Sequence, residues 1–292
     1  MNHFSDGEQA FEALDEGIGR RDLLRAAALV SAGATVPRWL TSPGVAEAAA
    51  PEGGEPSILQ PGRGRTNGSY IASTPDTVRW GYLPNRDSAP IATVRSGSLL
   101  TIDTVSHEGI LEDQGRDPVS YFAGHGIPEA KVLDDARAIA ASGLPHDFAA
   151  DGPHIVTGPI AVQGAQPGDV LRVDVVGLVP RAPYGVISNR HGKGALPGEY
   201  PQGPAPEPGA SAQHPELFHN VSTFTPVRSV RGKLQGVLPV SGQLRAEFPI
   251  DPFMGMMGVA LDTSDRVNSI PPTVAGGNID IRDLNVGSTL YL

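Results

Sequence analysis

Asp151-Gly-Pro-His154-Ile-Val-Thr157-Gly-Pro-Ile160-Ala-Val162-Gln-Gly-Ala-Gln-Pro-Gly-Asp169-Val-Leu171 is the stretch on which the reading of this chain turns. A Thr-Gly-Pro turn leads into a short β-run through Ile160 and Val162. A Gly-Ala-Gln-Pro-Gly-Asp turn then separates it from a second alternating run, Val170 to Val176. Turn residues at both ends of an alternating apolar run specify strands and mark where the chain reverses. The two runs are therefore expected to form a hairpin ending near Val179. Asp151 and His154 sit on the loop that enters it, which puts a carboxylate and an imidazole near one rim.

The same grammar extends in both directions. Thr77–Tyr82 alternates, and Leu99–Val105 is rich in β-branched residues that fit a pleated surface. Phe218–Val230, Lys233–Val240 and Ser288–Leu292 are further strand candidates. The helical region is Asp117 to Asp151, where Ala130, Leu133, Ala136 and Ile139 fall at helical spacing before Gly143 and Pro145 stop the run. With 36 Gly and 28 Pro in 292 residues, the chain is punctuated too often for long helices. The expected fold is mainly β, a sandwich or barrel with one or two short helices.

Composition narrows the function. Formal charge is −10, which opposes binding to a phosphate backbone, so no nucleic-acid partner is expected. Cysteine is absent, which excludes disulfides, thiolate chemistry and Cys-ligated zinc. Arg20-Arg21 precedes a mildly apolar run, Ala26 to Val36, that is too short to span a bilayer. Ala46-Glu47-Ala48 supplies a cleavage site, so residues 1–48 are read as a twin-arginine (Tat) export signal. A periplasmic, cell-surface or extracellular protein follows, with no membrane attachment after cleavage. Residues 49–76 are Gly/Pro-rich and polar and are expected to be a linker, with the folded domain over 77–292.

Ordered blocks from about Val78 to Leu292 resemble the acetamidase/formamidase family. They are Ser96-Gly97 with the strand through Asp103, His154 with Thr157-Gly-Pro-Ile160, and Gly164-Ala-Gln-Pro-Gly-Asp169-Val-Leu171. Pro252-Phe-Met-Gly255 with Gly258-Val-Ala260, and Gly276-Gly-Asn278-Ile-Asp280, complete the set. The resemblance implies a jelly-roll-like β-sandwich that hydrolyses formamide, acetamide and similar small amides to acid and ammonia. It also implies a divalent metal. Three departures stand out. Ala275 occupies a position where members often carry His, the position near Ser106 where members often carry a further acid is not acidic although His107 and Glu108 follow, and the chain stops at Leu292 before a family segment containing Gly-Asp-x-His. The last departure makes the chain read as truncated relative to the family. A final strand left unpaired there would favour pairing with another copy, so self-association is expected.

Amide hydrolysis needs an activated water, an electrophile for the carbonyl oxygen and an acid for the leaving nitrogen. No Gly-x-Ser-x-Gly or Ser-x-x-Lys supports a covalent route. A metal held by His and carboxylates would lower the pKa of bound water and polarise the carbonyl. Zinc is the leading expectation, with calcium or another divalent ion as alternatives. The candidate ligands are Asp103, His154, Asp280 and His107. Glu108 and Asp151 are the candidate acid–base carboxylates, and Asn278 and His191 the candidate substrate contacts. Each has a plainer reading: a loop-anchoring histidine for His154, an Asx-turn for Asp280, an outward strand position for Asp103, a solvated loop for Glu108 and His191. A β-sandwich that binds without turnover, or a hydrolase of another C–N bond, remains the alternative to a small-amide hydrolase.

Overall fold

The computed structural model describes residues 56–63 and 68–292. The export signal expected over 1–48 lies outside them. The described chain is mainly β, with short strands, two short α-helices and an open sandwich arrangement. It begins earlier than the sequence suggested. Strand β1 (Ser69–Ile71) lies inside the stretch expected to be linker and pairs in parallel with β5 (Leu100–Ile102). Its buried member, Ile71, gives even a polar, Gly-rich approach an anchor.

Strand β2 (Val78–Trp80) buries alternate residues, Val78 and Trp80, and pairs antiparallel with β6 (Ile155–Thr157), Trp80 opposite Ile155. Strand β3 (Tyr82–Leu83) pairs with β14 (Val267–Asn268). The expected hairpin does not form. Strand β7 (Ile160–Val162) pairs in parallel with β4 (Ala92–Val94), and β8 (Arg172–Asp174) pairs with β16 (Thr289–Tyr291). The exposed connection from Gln163 to Leu171 is longer than the two to five residues that close tight hairpins, so each strand is free to find a distant partner. The same pairing corrects the picture of an unpaired last strand, because β16 is hydrogen-bonded along β8.

The largest sheet is antiparallel, built from β9 (Tyr184–Asn189), β10 (Val221–Val230), β11 (Lys233–Ser241) and β12 (Leu244–Pro249), in the spatial order β12-β11-β10-β9. Strand β13 (Met256–Gly258) pairs with β15 (Gly276–Asn278).

Helix α1 (Pro118–Ala123) starts where Asp117 accepts the Val119 and Ser120 amides, with Pro at a first-turn position whose missing N–H costs nothing. The run in which Ala130, Leu133, Ala136 and Ile139 fall at helical spacing is divided. A 3₁₀ turn at Glu129–Lys131 gives way to an extended Val132, and helix α2 (Asp134–Ala140) follows. Val132 is fully buried, and an extended backbone is what turns it inward. The Ala136, Ile139 and Ala140 face of α2 packs on Val78, Trp80, Val105, Ile110, Leu111 and Ile155. Each of the larger side chains contributes roughly 1.5–3 kcal/mol on burial. This core also aims the chemistry. Ile155 immediately follows His154, and Val105 and Ile110 bracket His107 and Glu108.

Candidate active site

Glu108 is buried on a loop that carries no regular structure, and its carboxylate is met by donors on both oxygens. Oε1 accepts from the Ser188 hydroxyl of β9 at 2.5 Å and lies 3.2 Å from His107 Nε2. Oε2 accepts from Gln114 Nε2 and, at 3.4 Å, from the Tyr121 hydroxyl. The Gly109 amide donates to Gln114 Oε1 at 2.7 Å, which fixes the orientation of that side-chain amide. Burial pushes the Glu108 carboxyl up, but the bonds from His107, Ser188 and Gln114 outweigh it and hold it down at about 2. Burial pushes Tyr121 up to about 12, so its hydroxyl keeps its proton.

His154 faces His107 edge-on, ring centroids 6.0 Å apart. Its Nδ1 bonds to Ser269 Oγ at 2.9 Å, and Ser269 is fully buried. Burial and then the adjacent His107 push His154 down to about 4, against the pull of Asp280, so its ring is neutral near pH 7. Gly152 permits this packing, because a Cβ there would stand 2.2 Å from Ser269 Oγ. The peptide of Gly81 stitches the loop in place: its N–H donates to His154 O at 2.8 Å, and its carbonyl accepts from Gly152 N at 2.8 Å and Ser269 N at 3.0 Å.

A cleft of about 280 Å³ opens beside these groups, lined by Phe148, His154, Ser188, Arg190, Lys193 and Asn278 among others. Ser188 connects it to Glu108, and His154 connects it to His107. The Asn278 amide donates to Ile270 O at 2.9 Å, and the Lys193 ammonium sits 5.9 Å from the Phe148 ring centroid. Arg190 donates to Ser188 Oγ at 2.8 Å and bonds to the buried Asp113 through Nε at 2.5 Å.

The sequence-derived candidates divide. His107, Glu108 and His154 come together, Asn278 lines the cleft, and Asp280 is close enough to act on His154 electrostatically. Asp103 does not join them. The Tyr70 hydroxyl donates to its carboxylate at 2.6 Å, and Arg181 lies 3.6 Å away, so the partner that a strand carboxylate requires is an arginine on the β5 side. Asp151 lines the cleft but is engaged by Arg266 at 2.8 and 2.6 Å and by the Asp147 amide at 2.8 Å. The Arg266 bonds hold its carboxyl below the usual carboxylate range, which suits anchorage more than proton transfer. His191 is not among the lining residues, which its loop supplies through Arg190, Lys193 and Gly194. Among the described residues no three His, Asp or Glu side chains converge as a metal site, so the arrangement does not fit the divalent ion implied by the resemblance. Ser188, Gln114, Tyr121 and Ser269 were not foreseen, because single polar residues in strands and turns carry no local signal. Arg190 is the immediate neighbour of the expected contact His191.

No family model and no curated protein matches the chain. Among solved structures it is similar to an acetamidase from Bacillus halodurans, at 20% identity and a TM-score of 0.47. The match covers 76% of this chain, which spans 56% of the length of that protein.

Proposed function

We propose that this chain hydrolyses a small aliphatic amide in the cleft beside His154. The observation that carries the reading is the contact between His107 and the ionised Glu108, with a neutral His154 set against it at the wall of a small cleft. Glu108 holds the proton on His107 Nε2, which leaves Nδ1 as the basic nitrogen. That nitrogen takes a proton from water as the water oxygen adds to the amide carbon. Asn278 and Lys193 donate to the carbonyl oxygen as it becomes negative. The C–N bond then breaks, the proton on His107 passes to nitrogen, and acid and ammonia leave. The ordered Gly, Pro, His and Asp blocks that resemble the acetamidase/formamidase family support the same reading.

A divalent ion would require His107, His154 and Asp280 to turn towards one point. Ammonia release from formamide and acetamide, with and without a chelator, tests both ideas. Release that survives chelation supports the side-chain route, and release that chelation abolishes supports the ion. No release from a folded sample refutes the small-amide hydrolase. Tight ligand binding in that sample would favour the binding-only alternative, which Ala275 and the unconverged ligand set favour. Export rests on Arg20-Arg21 and the Ala26–Val36 run, and retention of an Arg20→Lys/Arg21→Lys variant in the cytoplasm is the matching test.

A further inference from the structure

His146 takes no part in the reaction above, and its ring is almost wholly enclosed, with 1% of the side chain exposed. Both ring nitrogens meet oxygen atoms. Nδ1 lies 3.1 Å from Glu112 Oε1, and Nε2 lies 3.2 Å from the Gly152 carbonyl. A neutral imidazole has one N–H, so it can satisfy one of these and must set a lone pair against the other. The carbonyl cannot donate, so Nε2 carries a hydrogen. A carboxylate donates only when protonated. Burial raises the Glu112 carboxyl, but the bond from His146 outweighs it and holds the group below its usual range. The imidazolium alone makes both bonds.

The surroundings suit a cation. The His146 ring stacks on Trp80 with centroids 4.4 Å apart and planes 17° from parallel. Glu112 faces it directly. The competing cations are already engaged: Arg116 lies over the Trp80 ring, 3.6 Å from Glu112 Oε1, and Arg266 is bound to Asp151.

We propose that His146 is a positioning residue, an imidazolium clamp between Glu112 and the Gly152 carbonyl that fixes the turn delivering His154 to the cleft. Gly152 stands two residues before His154, and Gly81 binds both, so a shift at the Gly152 carbonyl is passed to the His154 ring. The effect on turnover rests on the proposed amide hydrolysis; the protonation and the anchoring do not.

The test is a long-range ¹H–¹⁵N correlation spectrum of the histidine rings in the full chain near pH 7, with His146 assigned by its disappearance in His146→Phe. Two protonated nitrogens on His146 are expected, and one unprotonated nitrogen overturns the proposal. His146→Phe keeps a ring against Trp80 and loses both donors. Displacement of the His154 resonances is expected, with kcat reduced roughly 10- to 100-fold and KM changed less than about threefold, as when a group that packs against the base and walls the cleft moves by a fraction of an ångström. Unmoved His154 resonances in the folded variant overturn the proposal. If the variant fails to fold, His146 of the wild type is assigned through the contacts of its ring with the stacked Trp80, and its nitrogens decide the matter. A chain without amide turnover leaves both nitrogen readouts intact, so failure of the hydrolase and failure of the clamp are distinguishable.

Discussion

Replacing Glu108 by Gln removes one charge and almost no volume, and the surrounding donors dictate how the new amide must lie. Gln114 is pinned by the Gly109 amide, so its Nε2 can only donate towards the former Oε2 position. The carbonyl of the introduced amide must therefore take that side, which turns its NH₂ towards Ser188 and His107. The Ser188 hydroxyl can rotate to accept. His107 can accept only by surrendering the hydrogen on Nε2 and carrying it on Nδ1 instead. The substitution should thus invert the tautomer of the base while leaving the packing intact. Loss of a positioned base costs about 10²- to 10⁴-fold in rate. Weakening of charge-assisted bonds in a buried site costs on the order of 1–3 kcal/mol. Ammonia release from acetamide should show the fall in kcat with little change in KM, and thermal unfolding should show a loss of a few degrees. A folded Glu108→Gln enzyme with kcat within about twofold of wild type would refute the role of His107 as base, since tautomer inversion at a working base costs at least ~10²-fold.

The same geometry fixes three other outcomes. The Glu108 carboxyl is depressed from 4.5 to about 2, so the stability it contributes is present above pH 4.5 and lost as pH falls towards 2, on the order of 3 kcal/mol in all. His154, depressed from 6.5 to about 4, acts in the same direction, because the unfolded chain takes up that proton first as pH falls from 6.5. Chemical denaturation should show stability falling in two stages on acidification, and a flat profile between pH 7 and 3 would contradict the buried network. Asp151→Asn leaves the half-exposed Arg266 with a weaker partner and should lower stability by about 1–2 kcal/mol, or roughly 2–8 °C in Tm; an unchanged melting curve would show that the pair contributes nothing. Asp280 stands at φ 46°, a conformation that Asn also tolerates, so Asp280→Asn removes the charge without straining the backbone. Its carboxylate favours the charged ring of His154, so the midpoint of His154 protonation should fall further below about 4 in the variant; an NMR titration that leaves the midpoint unchanged would show Asp280 to be electrostatically irrelevant to that ring.

Local pattern was enough for the class of fold and for part of the site. Alternation at Val78 and Trp80 and the Ala136–Ile139 spacing survive in the structure because each reports a face that must be buried, whereas the β-branched run before Asp103 forms its strand with Ile102 exposed. Partner choice was not legible. Nothing near Ile160 says that Ala92–Val94 will lie beside it, and a turn-rich connection looks the same whether the chain folds back or departs. The site shows the same division. His107, Glu108 and His154 stood out by residue type, whereas Ser188 and Ser269 are ordinary serines until the tertiary fold sets them against a carboxylate and an imidazole. Asp103 misled for the converse reason: its need for a partner was visible, but the identity of the partner, Arg181, lay far along the chain.

Gly81 joins β2 to β3 in a left-handed conformation (φ 90°), and a Cβ at that point would press to 2.5 Å from the Gly152 carbonyl. One peptide unit thereby gathers the loop before β6 and the segment after β14, which stand far apart in sequence. Contacts between such remote segments carry a large loop-closure cost and form late. During refolding, backbone structure should therefore return before His154 is seated, leaving an interval in which the molecule is folded by circular dichroism while the wall of the cleft is still unformed.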